Sequence, residues 1–279
     1  MWFENGANPP TNSYGPFVLA VRMFLGGFSR SRGQLRIVIL VERKFPMLDQ
    51  LFRFVSNCWP SLILTAAGAY LLGSINFAIV VTRLFSRTDI RDSGSGNAGA
   101  TNVLRSQGKL PALLTTLGDL GKSIASVLLG GWLVHMLNSG YTDGDMEFVL
   151  VGKYLAGLFC ILGHLYPLYF GFRGGKGVLA TFGMMLILDW RAALLSLAVF
   201  IIVVLIFRMV SLGSICAGIA LPIFTGLFSA FADKNSSSNT LFSIIMTLFI
   251  STMLILKHIP NIKRIINGTE SKIGSDKSK

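Results

Sequence analysis

The chain has 279 residues, 52% of them hydrophobic and only 14% charged, with a mean hydropathy of +0.62. Soluble domains carry about 25% charged residues, so this composition excludes an ordinary soluble enzyme and places the chain in the membrane class. The net charge of +12 would point to nucleic acid in a soluble protein; here the basic residues sit in short loops beside apolar spans, where orientation and anionic lipid headgroups account for them.

Residues 1–58 carry Arg22, Arg30, Arg32, Arg36, Arg43, Lys44 and Arg53 against three acids. Three readings stay open for this extension: an Arg-rich targeting peptide, an amphipathic surface segment, or an over-extended start with Met47 as the natural first residue. Met47 immediately precedes a plausible lead-in to the first span, which favours the third. The expected domain is 59–270, and 271–279 reads as a polar basic tail.

The first span covers 54–82, which has no charged side chain and is long enough to cross a hydrocarbon layer about 30 Å thick. The loop after it reads Ser93-Gly94-Ser95-Gly96-Asn97-Ala98-Gly99-Ala100-Thr101-Asn102-Val103-Leu104-Arg105. The second span, 111–137, holds Asp119 and Lys122 three residues apart on one helical face. An ionisable pair inside a span must be mutually satisfied or face a polar cavity, and the sequence leaves both options open. The third span is 149–170 and contains His164. After it come Phe172-Arg173-Gly174-Gly175-Lys176-Gly177. The stretch 177–207 is interrupted by Asp189-Trp190-Arg191 and reads as two short helices joined by a tight turn. Spans six and seven lie at 212–231 and 240–257.

Loop charge orients the bundle. Arg83, Arg87, Arg91, Arg105, Lys109, Arg173, Lys176, Arg208 and the basic tail fall on one side, whereas loop 138–148 carries Asp143, Asp145 and Glu147. The positive-inside rule makes the first side cytoplasmic. The expected fold is therefore all-α, a polytopic membrane bundle of seven transmembrane helices with a cytoplasmic C-terminus.

The glycine motifs are read against their contexts. Gly94-x-Gly96-x-x-Gly99 matches a dinucleotide fingerprint, but no strand precedes it and Asp119 falls inside an apolar helix. Gly174-Gly175-Lys176-Gly177 is not a P-loop, because Lys176 is followed by Gly177 and position 170 is Phe. A flexible linker explains glycine in 93–105, but not Asn97, Thr101, Asn102 and Arg105 at this density. Lys176 lies among glycines at a helix start, where free N–H groups favour an anion. His164 taken alone reads as a hydrogen-bonded structural residue. Cys58, Cys160 and Cys216 lie far apart and form no metal spacing.

Together these segments resemble the bacterial PlsY family of glycerol-3-phosphate acyltransferases. The resemblance rests on Ala69-Tyr70-Leu71-Leu72-Gly73-Ser74-Ile75, the Gly94–Arg105 loop, Asp119 with Lys122, Gly163-His164-Leu165-Tyr166-Pro167, Phe172–Gly177, Val210-Ser211-Leu212-Gly213-Ser214, His258 with Asn261-Ile262-Lys263-Arg264, and Gly268-Thr269-Glu270. It covers about 59–270; Ser123 and Pro260 depart from the usual pattern. The resemblance implies acyl transfer from acyl phosphate to the sn-1 hydroxyl of glycerol 3-phosphate at the cytoplasmic face of a bacterial inner membrane, giving 1-acylglycerol 3-phosphate and phosphate. It implies no cofactor, no metal and no Ser/His/Asp triad. Lys176, Arg105, Ser95, His258 and Asn261 are the expected catalytic residues. Gly94, Gly96, Asn97, Thr101, Asn102, His164, Gly174, Gly175, Gly177, Ser211 and Ser214 are expected to hold substrate. The expected partners are the two substrates, membrane lipids and, transiently, the enzyme that supplies acyl phosphate; nucleic acid is not among them. An organic-phosphate transporter is the first rival, but it would place polar groups near the midplane. An acyltransferase using acyl-CoA or acyl carrier protein is disfavoured, since none of His135, His164 or His258 is followed four residues later by Asp.

Overall fold

A computed structural model describes residues 46–138, 147–233 and 235–274. Expectations for 1–45, for most of the acidic loop, for Lys234 and for the last five residues lie outside the described residues. The described chain forms α1 (Pro46–Gly73), α2 (Phe77–Ser86), α3 (Ala100–Gln107), α4 (Lys109–Leu137), α5 (Phe148–Leu165), α6 (Val178–Leu188), α7 (Trp190–Phe207), α8 (Val210–Leu227, prolonged by a π turn over Phe228–Ala232), α9 (Ser237–Lys257) and α10 (Ile259–Ile266). There is no strand among the described residues.

Six helical segments are long and apolar enough to cross a membrane, and α6 is a shorter apolar helix. The interruption at Asp189 is where expected: its side chain accepts from the N–H groups of Arg191 and Ala192 and starts α7 directly after α6. Arg191 also pairs with Asp233 at 2.6 Å, fastening the α6–α7 turn to the end of α8. α6 has 11 residues and α7 has 18, a difference of about 10 Å at 1.5 Å per residue.

Two expectations are corrected. The boundary at 58/59 falls inside α1: Phe54 and Cys58, 0% and 3% exposed, pack into the same core as Tyr154, Met184 and Phe242. Arg53 ends the uncharged run but not the helix, because a long basic side chain is able to reach the interface from within a helix. The crossing expected over 54–82 falls within one long apolar segment, Gln50–Ser86, but that segment is two helices, α1 and α2, broken at 74–76. Ser74 Oγ donates to the Tyr70 carbonyl at 2.8 Å, and Asn76 Oδ1 caps α2 by accepting from the Ile79 N–H at 3.2 Å. A break at membrane depth needs such partners, since lipid offers none to the freed backbone.

The packing is that of a chain dissolved in lipid. Large apolar side chains such as Leu205, Ile206, Trp132 and Phe231 face outward, whereas Thr65, Thr115, Ser123, Ser126 and Thr247 are buried. Small residues let the helices approach closely. At Gly163 on α5, an added Cβ would come within 2.3 Å of the Tyr70 carbonyl oxygen on α1.

Candidate active site

Four interhelical segments meet at one end of the bundle, and local hydrogen bonds shape each. In the first, Asp89 caps a short turn over Ile90–Asp92 and pairs with Arg83 at 3.0 Å and Arg91 at 2.8 Å. Hydrogen bonding from Arg91 holds its carboxyl well below the usual carboxylate range. Gly94 and Gly96 then turn with positive φ. Asn102 locks this turn: its Oδ1 accepts from the Ser95 N–H at 2.9 Å, and its Nδ2 donates to the carbonyls of Ile90 at 3.1 Å and Ser93 at 2.9 Å. The Asn102 side chain is thus occupied in shaping the loop. α3 begins after Gly99 with no side-chain cap, so its first N–H groups are available to an anion.

The second segment folds back on the end of α5. The N–H groups of Gly174 and Gly175 donate to the carbonyls of Leu165 (3.3 Å) and His164 (3.1 Å). Arg91 binds the first segment to it, donating to the carbonyls of Phe170 at 2.7 Å and Arg173 at 3.2 Å. Lys176 follows and donates to Asn261 Oδ1, before Gly177 opens α6.

The third segment brings Ser211 and Ser214 at the start of α8; Ser214 Oγ bonds back to the Val210 carbonyl at 2.9 Å. The fourth runs from His258 through α10 to Glu270. Glu270 accepts from Ser211 Oγ (2.6 Å), Asn261 Nδ2 (2.7 Å) and Arg264 Nε (2.7 Å). Beyond it, the Ile273 N–H donates to the Arg208 carbonyl at 2.7 Å and ties the tail across the start of α8.

These segments enclose a cavity of about 850 Å³. Every residue expected to be catalytic or to hold substrate lies on its wall: Ser95, Arg105, Lys176, His258 and Asn261, with Gly94, Gly96, Asn97, Thr101, Asn102, His164, Gly174, Gly175, Gly177, Ser211 and Ser214. Asp119 also lines it and at the same time pairs with Lys122, which lies behind at 2.8 Å from Asp119 Oδ1, so both options left open by the sequence are met together. Sequence reasoning missed Glu270 and Arg264 as site residues. The signal was available for the first, as Glu270 is the lone acid in the basic stretch from Lys257 to Lys272.

Cations outnumber carboxylates on the cavity wall: Arg105, Lys176, Lys257 and Arg264 against Asp119 and Glu270. Burial, aided by Arg264 and Arg105 and opposed by Glu270, brings Lys176 down to about 8. Burial likewise lowers His258 to about 4, so its ring is neutral near pH 7. Its Nδ1 lies 2.8 Å from the Leu254 carbonyl, an acceptor, so Nδ1 carries the proton and Nε2 keeps its lone pair. Burial alone would raise Glu270; the hydrogen bonds from Ser211, Asn261 and Arg264 outweigh it and keep the carboxyl ionised. Among the described residues, no three His, Cys, Asp or Glu side chains cluster as metal ligands would. The arrangement suits binding and orienting phosphate groups beside a fixed imidazole and amide.

Comparison with known proteins agrees in extent as well as in chemistry. The profile of a family described as "Glycerol-3-phosphate acyltransferase" matches residues 63–268. A glycerol-3-phosphate acyltransferase of Clostridioides difficile (strain 630) is 41% identical over 217 residues, covering 78% of this chain and 98% of that protein. One from Coxiella burnetii (strain CbuG_Q212) is 38% identical over 213 residues, covering 76% and 98%. Two crystal structures of PlsY, an integral membrane glycerol 3-phosphate acyltransferase, superpose with TM-scores of 0.63 and 0.62 at 35% and 34% identity, each covering 77% of this chain and 96% of the other. One is its glycerol 3-phosphate form and the other its lysophosphatidic acid form.

Proposed function

The chain belongs to the glycerol-3-phosphate acyltransferase family and is a multi-pass membrane acyltransferase of phospholipid synthesis; on that footing we propose that it moves a fatty acyl group from acyl phosphate to the sn-1 hydroxyl of glycerol 3-phosphate at the cytoplasmic face of a bacterial inner membrane. The observation that carries this reading is the placement of Lys176, with Arg105 and Arg264 close enough to depress its proton affinity, in a cavity walled by two glycine loops. Such a concentration of cations, beside the uncapped start of α3, suits two phosphorylated substrates held together.

In this mechanism Lys176 and Arg105 neutralise phosphate, while the uncapped N–H groups that open α3, with the side chains of Ser95, Asn97 and Thr101, orient it. Asn102 contributes by holding the loop. Ser211, Ser214, His258 and Asn261 complete the polar wall. The sn-1 hydroxyl oxygen attacks the acyl carbonyl carbon, the bond from that carbon to the phosphate oxygen breaks, and inorganic phosphate leaves. An acyl phosphate is already an activated anhydride, so positioning and oxyanion stabilisation supply most of the catalysis. At a proton affinity of about 4, His258 is a weak base; a substrate phosphate, with a second pKa of about 6 by analogy with phosphorylated side chains, is the better acceptor of the hydroxyl proton. His258 Nε2 then serves to orient that hydroxyl by accepting a hydrogen bond.

The test uses purified protein in lipid with labelled glycerol 3-phosphate and either acyl phosphate or acyl-CoA. Lysophosphatidic acid from the first donor alone is the expected result. Product from acyl-CoA, or phosphate flux in liposomes without any acyl donor, would overturn the reading.

A further inference from the structure

Behind the cavity wall lie three ionisable side chains with no assigned part in the reaction beyond lining it. Asp119, Lys122 and His164 are 1%, 1% and 4% exposed at their side chains. Lys122 Nζ is 2.8 Å from Asp119 Oδ1, 2.7 Å from the Ile75 carbonyl and 3.1 Å from His164 Nδ1. An ammonium has three protons and no lone pair, and here each proton has one acceptor. The carboxylate balances the charge. The carbonyl is one freed by the break between α1 and α2. His164 Nδ1 lies 3.1 Å from Lys122 Nζ and 3.5 Å from Asp119 Oδ1; the shorter contact makes its lone pair the third acceptor and leaves the imidazole proton on Nε2.

That nitrogen faces the two glycine loops. A Cβ built on Gly175 would lie 2.3 Å from His164 Nε2 and 2.5 Å from the Ala98 carbonyl oxygen. The His164 carbonyl also accepts the Gly175 N–H at 3.1 Å. Ring and backbone of His164 therefore both bear on the residue immediately before Lys176, and the ring is held from behind by Lys122.

We propose that Asp119 and Lys122 are positioning residues for acyl transfer, acting through His164: they fix its imidazole with the proton on Nε2 and so hold the Gly174–Gly175 turn that aims Lys176. This rests on the acyl-transfer reading above for its kinetic consequence, but not for the state of the ring. A merely structural ion pair would stabilise the bundle and leave kcat/KM uncoupled from His164.

The test begins with the intact wild-type protein in lipid, labelled with ¹⁵N at histidine, with the His164 signal assigned by its loss in His164→Gln. At neutral pH the signal is expected to show a protonated Nε2 and an unprotonated Nδ1. A proton on Nδ1, or an even mixture, overturns the proposal without any variant having to fold. Lys122→Met is expected to mix the tautomers and to lower kcat/KM for glycerol 3-phosphate about 100-fold, the effect of displacing a reacting group by about 1 Å. The milder Asp119→Asn is expected to move both readouts in the same direction. In a His164→Gln background, whose amide replaces the Nε2 donor, Lys122→Met should add only about twofold, since residues acting through one another are not additive. A full, additive loss in that background overturns the proposal. Should the wild type form no product from acyl phosphate, the reaction would be wrong, and the nitrogen spectra would still decide the lock.

Discussion

Lys176 is the residue on which the cavity's chemistry converges, and its electrostatics make it testable. Lys176→Ala is expected to lower turnover at least about 100-fold, the scale on which single stabilising donors act, while the protein remains in the membrane fraction. Near-normal turnover by the purified variant would remove its assigned role. The pH dependence follows from the direction of its shift. A lysine brought down to about 8 is charged below that value and loses its proton above it. kcat/KM for glycerol 3-phosphate is therefore expected to fall about tenfold per pH unit above pH 8, and to rise through about pH 6 as the substrate phosphate reaches its dianion. His258, at about 4, adds no inflection between 5 and 8. Glu270 joins Ser211, Asn261 and Arg264; Glu270→Ala is expected to lower kcat/KM tenfold or more, as charge-assisted hydrogen bonds contribute about 1.5–3 kcal/mol each. Hydrogen exchange over α10 should rise in the same variant. The residue types of the site were legible because glycines, amides and cations stand out against apolar spans. The part played by Glu270 was not, because it arises from partners 59 and 9 residues away in sequence, and spacing along one helix does not reveal such contacts.

Hydropathy located the helices well and their ends poorly. It found the apolar stretches and the turn at Asp189. It missed the break at 74–76 because Ser74 and Asn76 are uncharged, and helix-breaking there depends on their side chains bonding to the backbone. It cut α1 at Arg53 because charge was read as a boundary. The crossing of α1 and α5 is also an element-scale property. A methyl group at position 163 would sit 2.3 Å from the Tyr70 carbonyl oxygen, so Gly163→Ala forces the two backbones apart. It is expected to cost about 1–3 kcal/mol, read as a lower thermal midpoint in detergent. Gly68, also on α1, has nothing within 4 Å of its Cβ position, and Gly68→Ala serves as the control with an unchanged or higher midpoint.

The whole molecule sorts its polar groups by end. Segments around Ser95, Lys176, Ser211 and Asn261 gather at one end, and the Asp189–Arg191–Asp233 cluster marks the other. Single cysteines placed in a Cys58/Cys160/Cys216-free background are expected to react with an impermeant thiol reagent from the same face at positions 95 and 176, and from the opposite face at position 190. Labelling of positions 95 and 176 from different faces would dismantle the proposed site.

The unequal lengths of α6 and α7 have a consequence for turnover. With 11 residues α6 rises only about 16 Å, about half of a 30 Å hydrocarbon layer, so Lys176, two residues before it, is expected to lie below the rim of the bundle rather than at it. On the proposed reaction, a lysophosphatidic acid made there would already be oriented as a lipid, headgroup toward water and tail among its neighbours. Its departure becomes a sideways step through a viscous film rather than an escape into solution, so the fluidity of the host bilayer should limit the cycle once chemistry is fast.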